Sequence, residues 1–363
     1  MNLFKRLRSI IKFKKRGTQI FKEKNEETEV VKIQEEVKPT EEVETSKETK
    51  LAETKDKEGM IIQDGLNFNP RRIGGGSKSH TQLNQDSFLL DTSTIVVADG
   101  AGESIGSEIA SETAVRKFVE EVKKLQKIDF DSIREVWLKV GDSLKEIYEK
   151  TYVNSDKVDF RRVLTGFLAT TLLVVIELKD SYIITYCGNG SIWLVRGDFW
   201  EFLESKRKWP WCVDDLVIPH STYAGEEALY GFLDYRGLRG FPSIMQLQKG
   251  PDRGEIFIVT TDGISSKDKL SVSYSNGEKK DPQSLEIDSN IYSILLMIKD
   301  YLYNGNSFSS LSEEIRKFLE SRKFFDDATV GILISDRAFQ YFEEKISKMS
   351  NKIVMVKDAE NNS

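Results

Sequence analysis

Val96-Val97-Ala98-Asp99-Gly100-Ala101-Gly102 reads as a buried β-strand that stops abruptly at a carboxylate. Ile95 to Ala98 are apolar and mostly β-branched, as an interior strand requires. A carboxylate at a strand end is held by a rigid element, so it can be aimed. The glycine after it leaves a backbone carbonyl open to close approach. Asp plus a bare carbonyl suits a hard cation such as Mg²⁺ or Mn²⁺. Asp-Gly is also one of the commonest turn dipeptides, so the reading depends on finding other carboxylates in the same setting.

Composition narrows the classes. The chain has 363 residues, 39% of them hydrophobic, and a net charge of −6, which argues against nucleic acid as a partner. Its two cysteines, Cys187 and Cys212, and two histidines, His80 and His220, supply neither a disulfide framework nor a zinc quartet. A reducing, cytoplasmic setting follows as the default. No apolar run approaches the length that spans a bilayer.

Residues 1–21 carry Lys5, Arg6, Arg8, Lys12, Lys14, Lys15 and Arg16, with Leu3, Leu7, Ile10 and Ile11 near one helical face. Such a helix lies on an anionic membrane surface, here the inner one; a solvated basic tail is the equal alternative. Residues 22–58, rich in Glu, Lys and Thr, read as a disordered charged linker. The folded domain is expected over residues 59–349, and residues 350–363 as a C-terminal tail.

Within the domain, Ile73 to Ser79 contains three glycines and reads as a loop; Ser77 stands where a phosphate-binding P-loop needs glycine before Lys78. Ser87–Leu90 and Ile95–Ala98 form a hairpin. Helices follow, one marked by Ile105, Ile109, Ala114, Phe118, Val122 and Leu125, the next by Ile133, Val136, Trp137, Val140, Leu144 and Tyr148. Ala169–Leu178, Tyr182–Tyr186, Ser191–Arg196 and Phe199–Leu203 are strands in series, so the sheet is an antiparallel meander. Glu204 to Asp252, with Trp209-Pro210-Trp211, gives no clear element. Glu255–Thr261 is a strand, Asn290–Tyr303 and Leu311–Ser321 are helices, and the second opens on a Ser310-x-x-Glu313 capping box. Thr329–Ile334 is the last strand, and a helix runs from Ser335 or Asp336 to about Met349.

The strand-end carboxylate recurs. Asp99-Gly100 and Asp262-Gly263 each follow a strand, Asp326 precedes one, and Asp86 opens another. Carboxylates near a packed core are costly unless paired or bound to metal. Four of them at strand ends can converge on two divalent cations, which orient a water for attack on phosphorus. That chemistry needs no protein nucleophile, and the chain offers no Ser-His-Asp or Cys-His arrangement.

The ordered set resembles the type 2C (PPM) metal-dependent protein phosphatases, in a divergent bacterial or archaeal branch. Asn84-Gln85-Asp86, Val97-Ala98-Asp99-Gly100-Ala101-Gly102, Ala169-Thr170-Thr171, Cys187-Gly188-Asn189-Gly190-Ser191, Thr260-Thr261-Asp262-Gly263 and Asp326-Asp327-Ala328-Thr329-Val330 carry the resemblance. It implies an α+β fold of two packed antiparallel sheets flanked by helix pairs, an αββα sandwich. It also implies hydrolysis of phosphoserine and phosphothreonine in proteins with two Mn²⁺ or Mg²⁺ ions, by a monomer. Carried over, Asp99 bridges both metals, the Gly100 carbonyl and Asp86 serve one, and Asp262 and Asp326 serve the other.

Departures from the pattern bear on the site. Asn189 replaces the aspartate of a third metal site, and Asp327 replaces an asparagine. Ala101 stands where some members have histidine. Thr81 replaces an arginine that grips phosphate, leaving Lys78, Arg71 or Arg72 as cations to take its place. His80 is the further candidate for phosphate contact. The rival function is a catalytically weak relative that binds a partner or acts as a membrane-tethered signalling module.

Overall fold

The structure, a computed structural model, describes residues 69–102, 104–153, 166–196, 213–223, 227–266, 289–303 and 310–347. Residues 1–58 and 350–363, the expected strand Phe199–Leu203 and Trp209-Pro210-Trp211 lie outside them.

The hairpin expected around the opening stretch consists of β2 (Ser87–Leu90) and β3 (Thr94–Ala98), in register from Ser87↔Ala98 to Leu90↔Ile95. Asp91 closes its turn: its N–H reaches the Thr94 carbonyl at 2.8 Å and its side chain accepts from Thr92 N at 2.8 Å. Next to β3 lie β4 (Leu172–Glu177), β5 (Ser181–Cys187) and β12 (Ser243–Gln248), giving a five-stranded antiparallel sheet in the order β12-β5-β4-β3-β2. A second antiparallel sheet runs β1-β14-β13-β6-β7. Its strands are β1 (Ile73–Lys78), β14 (Ala328–Ile334), β13 (Glu255–Thr260), β6 (Ser191–Arg196) and β7 (Val213–Asp215). Two short hairpins complete the strands, β8 (Ser221–Tyr223) with β9 (Glu227–Leu229), and β10 (Phe232–Asp234) with β11 (Gly237–Arg239).

The pleat sorts side chains into three apolar layers. Val96 and Ala98 of β3 join Phe118, Trp137, Val140 and Leu144 from α1 (Ser107–Lys123) and α2 (Phe130–Tyr148). Ile95 and Val97 point the other way, into a layer between the sheets with Phe88, Ile184, Phe257 and Val259. On the outer face of the second sheet, Ile256 and Ile258 meet Ile294 and Ile298 of α3 (Ser289–Tyr303) and Ile315 of α4 (Leu311–Glu320). Ala338 and Phe342 of α5 (336–347) join that layer, so this side carries a third helix beside the expected pair. The result is the expected αββα sandwich of α+β class. Burial of both sheet faces explains why the central strands read as continuous apolar runs.

Local chemistry fixes the helices. Asp129 caps α2 by accepting from Ser132 N at 3.0 Å while Ser132 Oγ accepts from Asp129 N at 2.9 Å, a reciprocal box. Ser310 caps α4 by accepting from Glu313 N at 3.3 Å. The buried Glu121 carboxylate joins α1 to α2 through Lys139 at 2.9 Å, with Lys117 and Lys124 also on it; hydrogen bonds from Lys124 and Lys139 hold its pKa down to about 2. No described helix is long and apolar enough to cross a membrane.

The loop expected at Ile73 to Ser79 is instead strand β1, paired along its whole length with β14. Glycines have low strand propensity, which hid it. They are there for proximity. A Cβ on Gly74 would lie 2.7 Å from Ser312 N, and one on Gly75 would lie 2.7 Å from the Phe88 ring. Helix α4 therefore rests directly on the backbone of β1.

Candidate active site

The register brings the predicted carboxylates to one end of the sandwich. Asp86 precedes Ser87 and Asp99 follows Ala98, and those two residues are paired, so both carboxylates flank one rung. In the other sheet Thr260 pairs with Val330 and Thr261 N donates to the Thr329 carbonyl at 3.1 Å, so Asp262 and the Asp326-Asp327 pair flank the next. Thr261 ties the two sheets together: its hydroxyl donates to Asp86 Oδ2 at 2.8 Å and accepts from Thr329 N at 3.0 Å.

Asp99 is held from its main chain. Its carbonyl accepts from Thr171 N at 2.8 Å and Thr170 Oγ1 at 2.9 Å, and its N–H donates to Thr171 Oγ1 at 3.1 Å. Burial, then the charges of Asp86, Asp262 and Asp326, then a hydrogen bond with Asp262, raise its pKa well above the carboxylate range. Asp86 rises from 3.8 to about 7, first through burial, with the charges of Asp327 and Asp262 adding and the Thr261 and Thr329 hydroxyls opposing. Asp99 thus feels the charge of the other three predicted acids.

Two glycines permit this closeness. A Cβ on Gly100 would sit 2.6 Å from the Gln85 carbonyl oxygen and 2.7 Å from that of Ser107, and one on Gly263 would fall onto the Asp327 carbonyl oxygen. Asn84 and Gln85 complete the wall. Asn84 Oδ1 accepts from Asp86 N at 3.1 Å and its amide donates to Ser77 Oγ at 2.7 Å, while Gln85 Nε2 donates to Ser107 Oγ at 2.7 Å.

Asp86 is 3% exposed, and its Oδ1 has no hydrogen-bond partner. An orphaned carboxylate oxygen near Asp99, whose own pKa is raised, fits a hard divalent cation, which would neutralise the charge and coordinate the oxygen. Among the described residues, no three His, Cys, Asp or Glu side chains already form a ready coordination shell. Asp326 is exposed and accepts from Asp327 N at 2.9 Å, so it stands on the rim while Asp86 lies inside.

Of the predicted phosphate-binding residues, Lys78 is turned away from the acids. Lys78 Nζ donates to the carbonyls of Leu319, at 2.9 Å, and of Glu320 and Arg322, closing the C-terminal end of α4, where a cation is favoured. It is committed there and not to a phosphate. His80 is exposed on the rim, with Nδ1 3.0 Å from the Phe324 carbonyl oxygen. Asn189 donates through Nδ2 to Asp262 Oδ2 at 2.9 Å. Its amide acts on the carboxylate itself, a role that its sequence position did not reveal. Thr261 was likewise missed, because a threonine before Asp-Gly in a strand reads as β-propensity alone.

A pH dependence follows for the metal-free protein. Between pH 3.8 and about 7 the folded state holds a proton on Asp86 that the unfolded state has released. This contribution to stability is fully present below pH 3.8 and is lost as pH rises through about 7. In chelator, the melting temperature should fall from pH 5 to pH 8, and Asp86→Asn should flatten the fall. Identical slopes for both proteins would show that Asp86 does not titrate in this way.

The sequence matches the protein phosphatase 2C family model over residues 73–319, and the chain belongs to that family. By that family it is classed as a protein phosphatase. No curated protein matches the chain. Among solved structures it is similar to the serine/threonine phosphatase Stp1 from Staphylococcus aureus, at 11% identity and TM-score 0.48, over 76% of this chain and 99% of that one. It is also similar to the serine/threonine phosphatase PstP/Ppp of Mycobacterium tuberculosis, at 12% identity and TM-score 0.47, over 72% and 97%. A third is the catalytic domain of PstP in complex with 2 manganese ions, at 13% identity and TM-score 0.47, over 73% and 98%.

Proposed function

We propose that the chain hydrolyses phosphoserine and phosphothreonine in proteins, with two Mn²⁺ or Mg²⁺ ions held by Asp86, Asp99, the Gly100 carbonyl, Asp262 and Asp326. The observation that carries this reading is the buried, unpartnered Asp86 Oδ1, in a cluster where burial and neighbouring carboxylates raise the pKa of Asp86 and Asp99. Such ions, when bound, draw charge from the phosphoryl oxygens and lower the pKa of water toward neutrality. The chain's own residues prepare the place. Thr170 and Thr171 fix the Asp99 main chain, Thr261 and Thr329 orient Asp86, and Asn189 turns Asp262. Hydrolysis forms one P–O bond to water and breaks the P–O bond to the serine or threonine oxygen, releasing inorganic phosphate and the alcohol.

A second reading, a partner-binding relative with little turnover, draws on one observation: the Lys78 ammonium is taken up by α4. The two separate in one assay. The full chain should release phosphate from an aryl phosphate and from phosphothreonine peptides with added Mn²⁺, and stop with chelator. Calorimetric Mn²⁺ binding without turnover on any of them would favour the partner-binding reading.

A further inference from the structure

Asp327 is next to Asp326 in sequence but faces a different set of groups. Its carboxylate is 6% exposed. Oδ1 accepts from His80 N at 2.7 Å and from Ser79 Oγ at 3.2 Å, and Oδ2 accepts from Gln85 N at 2.6 Å. All three donors belong to the connection between β1 and β2, whose last residue is Asp86. Both carboxylate oxygens are therefore engaged at the two ends of one loop, and a backbone N–H at each end has Asp327 as its acceptor.

We propose that Asp327 is a positioning residue: it latches residues 79–85 to the start of β14 and so sets where Asp86 stands, without itself holding a cation. The cation part of this inference rests on the reading of Asp86 given above. Acceptor capacity explains why a carboxylate serves here. An asparagine of the same shape has one oxygen, so its NH₂ would meet one of the two backbone N–H groups donor to donor. A buried N–H left without an acceptor is costly, and the loop would open to satisfy it with water. Asp86 would then lose its fixed place relative to Thr261, and with it the approach of Oδ1 to a cation. Groups that orient a metal-holding carboxylate typically change metal affinity by about 10–100-fold when removed.

The test uses the full chain and its Asp327→Asn variant, with two readouts. In the metal-free proteins, amide hydrogen exchange at His80 and Gln85 should be at least about tenfold faster in the variant, while the core amides of β3 and β13 keep their protection. By calorimetry, Mn²⁺ should bind the variant about tenfold or more weakly. Unchanged exchange at both amides would overturn the latch. Faster exchange with unchanged Mn²⁺ affinity would overturn its role in placing Asp86. If the unmodified chain binds no Mn²⁺, the reading of Asp86 fails, whereas the latch still stands or falls on the exchange rates alone. Should Asp327→Asn not fold, Ser79→Ala removes one donor and keeps the carboxylate. Faster exchange at His80 is then expected, and no change there would overturn the proposal.

Discussion

Asp99→Asn should lower kcat/KM on a phosphothreonine peptide by on the order of a thousandfold at saturating Mn²⁺, a loss of the size seen when a central electrostatic group is removed. The substitution keeps the shape of the side chain and leaves every main-chain contact to Thr170 and Thr171 in place. It removes one charge, the one on which Asp86, Asp262 and Asp326 all act. Asparagine also avoids the cost of burying this acid among like charges, so the metal-free variant is more stable, with a higher melting temperature in chelator than the unmodified chain. Opposite signs for stability and turnover distinguish a functional carboxylate from a structural one. A variant within tenfold of the original activity would remove Asp99 from the centre of the site.

Much of the architecture was open to reading, for a physical reason. The central strands are packed on both faces, so Ile95–Ala98, Leu172–Ile176 and Glu255–Thr260 are apolar almost without interruption. Helices α1 and α2 bury one stripe each; the spacing showed it for α2, while of the α1 markers Ala114, Phe118 and Val122 are buried but Ile109 is exposed and Ile105 precedes the helix. The acids were found because a carboxylate at a strand end is rare enough to notice when it recurs. What stayed hidden depends on partners far away in sequence. Lys78 looked like a free cation, but its tip meets carbonyls at the end of α4. Glycine-rich β1 carried little strand signal, because Gly74 and Gly76 are held small by the helix above it and Gly75 by the Phe88 ring.

Two of the departures from the family pattern, Asn189 and Asp327, make sense together. Asn189 supplies a donor to Asp262, where a carboxylate would supply only repulsion in the absence of an ion. Asp327 supplies acceptors to two backbone N–H groups, where an amide would supply only one oxygen. Relative to that pattern, an amide and a carboxylate have exchanged places between these two positions.

Gly74→Val should cost roughly 3 kcal/mol, the upper end of what overpacking a close contact does, and lower the melting temperature by about 8 °C. The first atom of the new side chain would meet Ser312 N at 2.7 Å and Leu311 C and Cβ at 2.8 Å, and two of those three are backbone atoms that cannot rotate away. Neither element can yield alone. β1 is bonded to β14 along six pairs, and α4 is pinned at Gly75 N by Ser312 Oγ at 3.1 Å and at its far end by Lys78. Gly102→Ala is the matched control, because its nearest neighbour is a side-chain atom, Gln85 Oε1 at 3.3 Å, rather than backbone, and it should melt within about 1 °C of the original. If Gly74→Val melts as high as this control, α4 does not rest on the strand backbone. The effect should also reach the site, because β1 leads straight into residues 79–85. A helix forced off β1 pulls Lys78 with it and shifts the loop that ends at Asp86, so the part of the chain least legible as structure is mechanically continuous with the acid on which the chemistry depends.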